Sequence, residues 1–118
     1  MIVPDILADS IAWHPADGDL VLLAGRGDDL PVSEMALATL PERARGQVFV
    51  EVGDASGIRT LDAPGRVCVT WLVRDAGARL ECAVDAWLAE MLPVDVDREH
   101  RVYAWIAGAG TAHVLTNA

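Results

Sequence analysis

The sequence predicts a doubly wound α/β domain, a three-layer sandwich around a mainly parallel sheet of about four to five strands. Three observations carry this. Apolar runs at 20–24, 48–52, 67–73 and 102–107 are rich in Val, Leu and aromatic residues and mostly lack strict alternation, as strands covered on both faces do. Helical patterns lie between them. The connections are short, so strand–helix–strand alternation implies right-handed crossovers and parallel pairing.

The elements follow in order. Residues 1–15 form a separate apolar segment in which Val3, Leu7 and Ile11 recur at i, i+4 and i+8, with Ile2 and Ile6 alongside. A short helix with one apolar face is expected over 1–13. Ala16-Asp17-Gly18-Asp19 is turn chemistry, and the α/β domain proper is read as 16–118. The first strand runs into Gly25-Arg26-Gly27-Asp28-Asp29, where Asp is a natural N-cap for a helix over 31–40 and Pro31 suits its first turn. The polar, Gly-rich segment 52–66 reads as a loop with at most one turn of helix. In 79–91, Leu80, Val84, Trp87, Leu88 and Met91 make one helical stripe. A last short helix is expected from Thr111 to the C-terminus.

Composition sets limits. A chain of 118 residues supports a single core, and its 53% hydrophobic content marks it as globular. The net charge of −9 argues against nucleic acid and anionic membranes as partners. No apolar stretch approaches the roughly 20 residues of a membrane span, and no signal-peptide pattern opens the chain. Cys68 and Cys82 form no C-x-x-C pair and are expected to be buried free thiols in a reducing compartment. A cytoplasmic location follows as the expectation.

The candidate site lies at the carboxyl ends of the strands, where open α/β sheets take ligands. Gly25-x-Gly27 is half of a dinucleotide fingerprint, with Leu30 at the third glycine position. The alternative is a strand-to-helix turn that needs glycine for backbone reasons alone. Arg26 lies within this turn. Arg74, after the third strand, either meets a phosphate or pairs with Asp75 or Asp54. Gly108-Ala109-Gly110 makes a second glycine turn after the fourth strand. His14, His100 and His113 lack metal-ligand spacing, Ser33 lacks a nucleophile elbow, and nothing marks a catalytic carboxylate pair. No catalytic residue and no metal ligand is therefore assigned.

The succession Leu22-Leu23-Ala24-Gly25, Leu30-Pro31, Gly46-Gln47-Val48-Phe49-Val50-Glu51-Val52 with Asp54-Ala55, Val69-Thr70-Trp71-Leu72 with Arg74-Asp75, and Tyr103-Ala104-Trp105-Ile106-Ala107-Gly108 resembles the C-terminal domain of siderophore-interacting proteins. These are flavin-dependent ferric-siderophore reductases of the ferredoxin-reductase superfamily. The resemblance implies a ferredoxin-reductase C-terminal-domain-like fold that receives NADPH or NADH, with Gly25, Arg26, Asp54, Arg74, Gly108 and Ala109 as the cofactor-binding set. In that family a separate barrel holds FAD. Only about fifteen residues precede the matching region, so FAD binding and catalysis by this chain alone are not expected.

The implied function is an NAD(P)H-binding or electron-transfer accessory to a separate flavin-domain protein. The alternative is a non-catalytic protein-interaction domain that kept the fold and lost the cofactor site. Departures from the family pattern bear on the choice. The usual Gly-Asp-Glu-Thr is Gly25-Arg26-Gly27-Asp28, the usual Gly-Glu is Gly108-Ala109, and the Arg-rich last helix is replaced by 111–118. Asp28 and Asp29 can also take the N–H groups that a phosphate would use. In two-domain relatives the barrel covers part of this domain, so the resemblance implies uncovered apolar surface. The 1–13 helix then acts as a lid or, as expected here, as a two-fold homodimer contact.

Overall fold

A computed structural model describes residues 13–16, 18–92, 101–108 and 112–116. The helix expected over 1–13 falls outside these residues except for Trp13. Within them the order is β1 (Leu20–Arg26), α1 (Leu30–Ala38), β2 (Arg45–Val52), β3 (Arg66–Val73), α2 (Leu80–Met91), β4 (Arg101–Ile106) and β5 (His113–Thr116). Single 3₁₀ turns follow β1, β2 and β3. The sheet order is β3-β2-β1-β4-β5. The first four strands pair in parallel, and β5 runs antiparallel to β4.

Strand β1 is central, and both of its faces are buried. Val21 and Leu23 pack with Val48, Val50, Leu30, Met35 and Leu37 on the α1 side. Leu22 and Ala24 pack with Phe49, Val102, Leu80 and Val84 on the α2 side. With a side-chain period of two and a helix on each face, every position from Leu20 to Ala24 is apolar, which explains the unbroken hydrophobic run. These are the three layers the sequence predicts.

Chain reversal at β1 defines the switch point of the sheet. The connections from β1 through α1 to β2, and on to β3, cover one face, where Leu61 and Ala63 join the α1-side core. The connection from β3 through α2 to β4 covers the other face. The topological switch point is therefore between the carboxyl ends of β1 and β4. Those ends are tied where Ala107 N–H donates to the Ala24 carbonyl at 2.8 Å.

Two expectations are overturned. The C-terminal helix is strand β5, whose register sets Val102 beside Leu115 and Tyr103 beside Val114. The outer side of β4 offers an open hydrogen-bond ladder, and β-branched Val114 and Thr116 favour extension over a short unsupported helix. The thiols are not buried, since Cys68 and Cys82 are both exposed. Helix α2 covers Leu72 on the edge strand β3 and leaves Cys68 open. Cys82 lies on the solvent side of α2, next to exposed Glu81.

No helix among the described residues is long and apolar enough to cross a membrane.

Candidate functional site

Four strand ends build the carboxyl edge. Gly25 and Arg26 close β1, Asp54 follows β2, Arg74 follows β3, and Gly108 follows β4. Ala109 lies outside the described residues. Each glycine has its own reason. A Cβ on Gly25 would come within 2.9 Å of the Asp29 Cβ and 3.4 Å of the Trp105 ring, so this position is fixed by space. Gly108 has φ +86°, the left-handed region that disfavours other residues.

Asp29 sits at the N-cap position of α1, yet its carboxylate makes no capping bond to that helix. It folds back and accepts the Arg26 backbone N–H at 2.9 Å. Asp54 is directed to its own turn, accepting from the Ser56 N–H at 2.8 Å and from the Ser56 hydroxyl. These two bonds, the hydroxyl one first, hold its carboxyl below the ordinary aspartate range. Gly53 and Asp75 join the ends of β2 and β3 through a 3.0 Å backbone hydrogen bond.

The centre of the edge is a residue that the sequence reading did not assign. Glu51, the penultimate residue of β2, has a side chain only 4% exposed. Its Oε1 lies 3.1 Å from Arg74 Nε and 3.7 Å from Arg26 Nε. Its Oε2 accepts the Leu80 N–H, at the start of α2, at 2.7 Å. Arg74 thus pairs with Glu51 rather than with the expected Asp75 or Asp54. Arg26 also reaches Glu81 Oε1 through Nη2 at 3.0 Å. The available signal was a lone charge in Val48-Phe49-Val50-Glu51-Val52, a run otherwise apolar at every position.

The structure therefore brings Arg26 and Arg74 together across β2, beside the Gly25 turn. Asp54 belongs to the same edge but is bonded locally. A cavity of about 910 Å³ lies at the opposite, amino edge, among Trp13, Val21, Thr39, Leu40 and Ala44. None of the five described site residues lines it, and the switch-point rule places ligand chemistry at the carboxyl edge instead.

Known proteins resemble this chain in sequence and in fold. The ferric vibriobactin reductase ViuB of Vibrio cholerae serotype O1, in strains O395 and N16961, is 32% identical over 105 residues, covering 89% of this chain and 35% of the reductase. The chain thus spans about a third of that relative's length. A siderophore utilization protein from T. fusca aligns over 79% of this chain and 34% of its own, with 27% identity and a TM-score of 0.58. The siderophore-interacting protein SipS of Aeromonas hydrophila shares the fold over 79% of this chain and 39% of its own, at 20% identity and a TM-score of 0.56. The siderophore-interacting protein family matches residues 19–115, and the chain belongs to that family.

Proposed function

We propose that this chain is the NAD(P)H-binding domain of a ferric-siderophore reduction system, with the flavin held outside this fold. One observation carries the reading. Arg26 ends one strand, Arg74 follows another, and they converge across β2 on the carboxyl edge of the sheet with their side chains half exposed. Guanidinium pairs suit dinucleotide phosphates through planar, bidentate contacts. Gly108, with nothing within 4 Å of a Cβ built there, leaves the neighbouring backbone open to close approach.

The residues fit a phosphate at the arginine pair and not at the first turn after β1, where Asp29 has taken the Arg26 N–H. Bound NAD(P)H supplies a hydride, two electrons at once. The chain's own residues bind and orient the nucleotide, and no side chain here replaces a flavin in passing electrons singly to iron.

The test is titration of the ¹⁵N-labelled chain with NADPH and NADH. Amide shifts at Gly25, Arg26, Arg74 and Gly108 are expected, and Arg74→Ala should weaken NADPH more than NADH. Silence at millimolar nucleotide, or shifts confined to the amino edge, overturns the reading. Silence would select a second reading, an interaction domain without a cofactor. That reading is favoured by the acidic residues Asp28, Asp29, Asp54, Asp75 and Glu81 around the same strand ends.

A further inference from the structure

Three elements meet on Glu51, and its two oxygens have different tasks. Oε2 is fixed by the Leu80 N–H at 2.7 Å, at a helix start that favours negative charge. This leaves Oε1 facing the Nε atoms of Arg74 at 3.1 Å and Arg26 at 3.7 Å. A guanidinium is a rigid plane of five N–H donors. The close ion pair at the Nε edge of Arg74 turns its Nη edge away from Glu51, whereas Arg26, beyond hydrogen-bond reach, is drawn to the same oxygen by charge. Glu81 engages Arg26 differently, through Nη2, and its own side chain is 66% exposed. An exposed pair of this kind contributes little and exchanges readily for a stronger anion.

We infer that Glu51 is a positioning residue that orients Arg74 and draws Arg26 alongside it by charge to receive one ligand phosphate, while Glu81 is a surface counter-ion that the phosphate displaces from Arg26. The inference deepens the nucleotide reading and rests on it only for the identity of the ligand.

The two carboxylates give the test its discrimination, because Glu51→Gln and Glu81→Gln each remove one negative charge from the same edge. If charge alone mattered, both variants would bind phosphate more tightly. Positioning gives opposite signs. Glu81→Gln should tighten NADPH and inorganic pyrophosphate about 2- to 5-fold, as loss of an exposed competing pair does. Glu51→Gln should weaken both about 10-fold, the scale of losing a buried carboxylate's hold on a charged partner. The Arg74 Nε–H resonance should broaden in Glu51→Gln and persist in Glu81→Gln, a readout that general destabilisation does not mimic.

If Glu51→Gln does not stay folded, Arg74→Lys tests the same geometry. It retains the charge but has no second edge to offer, so pyrophosphate binding should fall by a similar factor. Unchanged or tighter binding in Glu51→Gln, or in Arg74→Lys, overturns the inference and leaves the nucleotide reading standing. Pyrophosphate binding that depends on Glu51, together with indifference to both dinucleotides, supports the inference and overturns the nucleotide reading. A wild-type chain that binds neither probe overturns both.

Discussion

The Asp29 carboxylate accepts the backbone N–H of Arg26 at 2.9 Å, closing the turn after β1 on itself. In a phosphate-binding loop that N–H faces the ligand. Here an internal anion has taken it, and Gly25 is the residue whose missing side chain leaves room for Asp29. A phosphate dianion about 4 Å from such a carboxylate is opposed by several kcal/mol at an effective dielectric near 20.

Neutralising Asp28 and Asp29 together to Asn should therefore strengthen NADPH and NADH binding alike. The amide oxygen of Asn can still accept the Arg26 N–H, so the turn survives. Asp29→Ala removes the acceptor and should lower stability by about 1 kcal/mol. Calorimetric titration and thermal melts check both outcomes, and unchanged affinity in the double variant would mean that the charge of this turn does not reach a nucleotide at the arginine pair.

A second prediction concerns how β1 and β2 approach each other. A Cβ on Gly46 would lie 2.2 Å from the Val21 carbonyl oxygen and 2.5 Å from its Cγ2. The carbonyl belongs to the backbone of the central strand and cannot turn aside. Gly46→Ala should cost about 3 kcal/mol or more by forcing the pair apart. Gly65→Ala, with nothing within 4 Å, should stay within about 0.5 kcal/mol of wild type. Urea unfolding of the two variants makes the comparison, and equal stabilities would contradict it.

This contrast shows what the sequence could carry. The positions of the first four strands and of both helices were legible because they follow from apolar runs and periodicity. The crowding at Gly46 was not, since glycine reads alike in a tight ladder and an open turn. Glu51 was visible as a charge in an apolar run, but its partners arrive from β1, β3 and α2, which no local pattern links. Strand β5 was missed for a related reason: four residues take their conformation from the open side of β4. The exposure of Cys68 likewise follows from how far α2 extends over β3.

The third prediction is a pH response. Ser56 holds the Asp54 carboxyl below the ordinary aspartate range through its hydroxyl and its N–H. A carboxylate with a depressed folded-state pKa adds stability above its unfolded value, and that stability is lost as pH falls through the folded value. Asp54 is fully exposed, so the effect on global stability should be small and the local titration is the better measure. In Ser56→Ala the Asp54 carboxyl should titrate at higher pH, closer to an ordinary aspartate, when followed by ¹³C NMR. An unmoved titration would show that the hydroxyl bond does not set it.

The last prediction concerns Trp13, which joins the segment before β1 to the domain. Its ring is 2% exposed and belongs to the α1-side core. The indole N–H donates to Thr39 Oγ1 at 3.1 Å, and that hydroxyl donates to the Ala36 carbonyl at 2.7 Å. Trp13 also meets Tyr103 edge-on, with centroids 5.2 Å apart, while the Tyr103 hydroxyl accepts the His14 N–H at 2.8 Å. One side chain thus links the end of α1, strand β4 and the entry to β1. Trp13→Ala should cost about 3–5 kcal/mol, the range for emptying a buried aromatic site. Thr39→Val should cost about 1 kcal/mol or more by stranding the indole N–H. Trp13→Phe combined with Thr39→Val removes both polar partners, so its loss should fall below the sum of the two single losses. Chemical denaturation of wild type, Trp13→Phe, Thr39→Val and the double variant measures the coupling. A strictly additive double variant would mean that the hydrogen bond contributes nothing and that Trp13 acts through its volume alone.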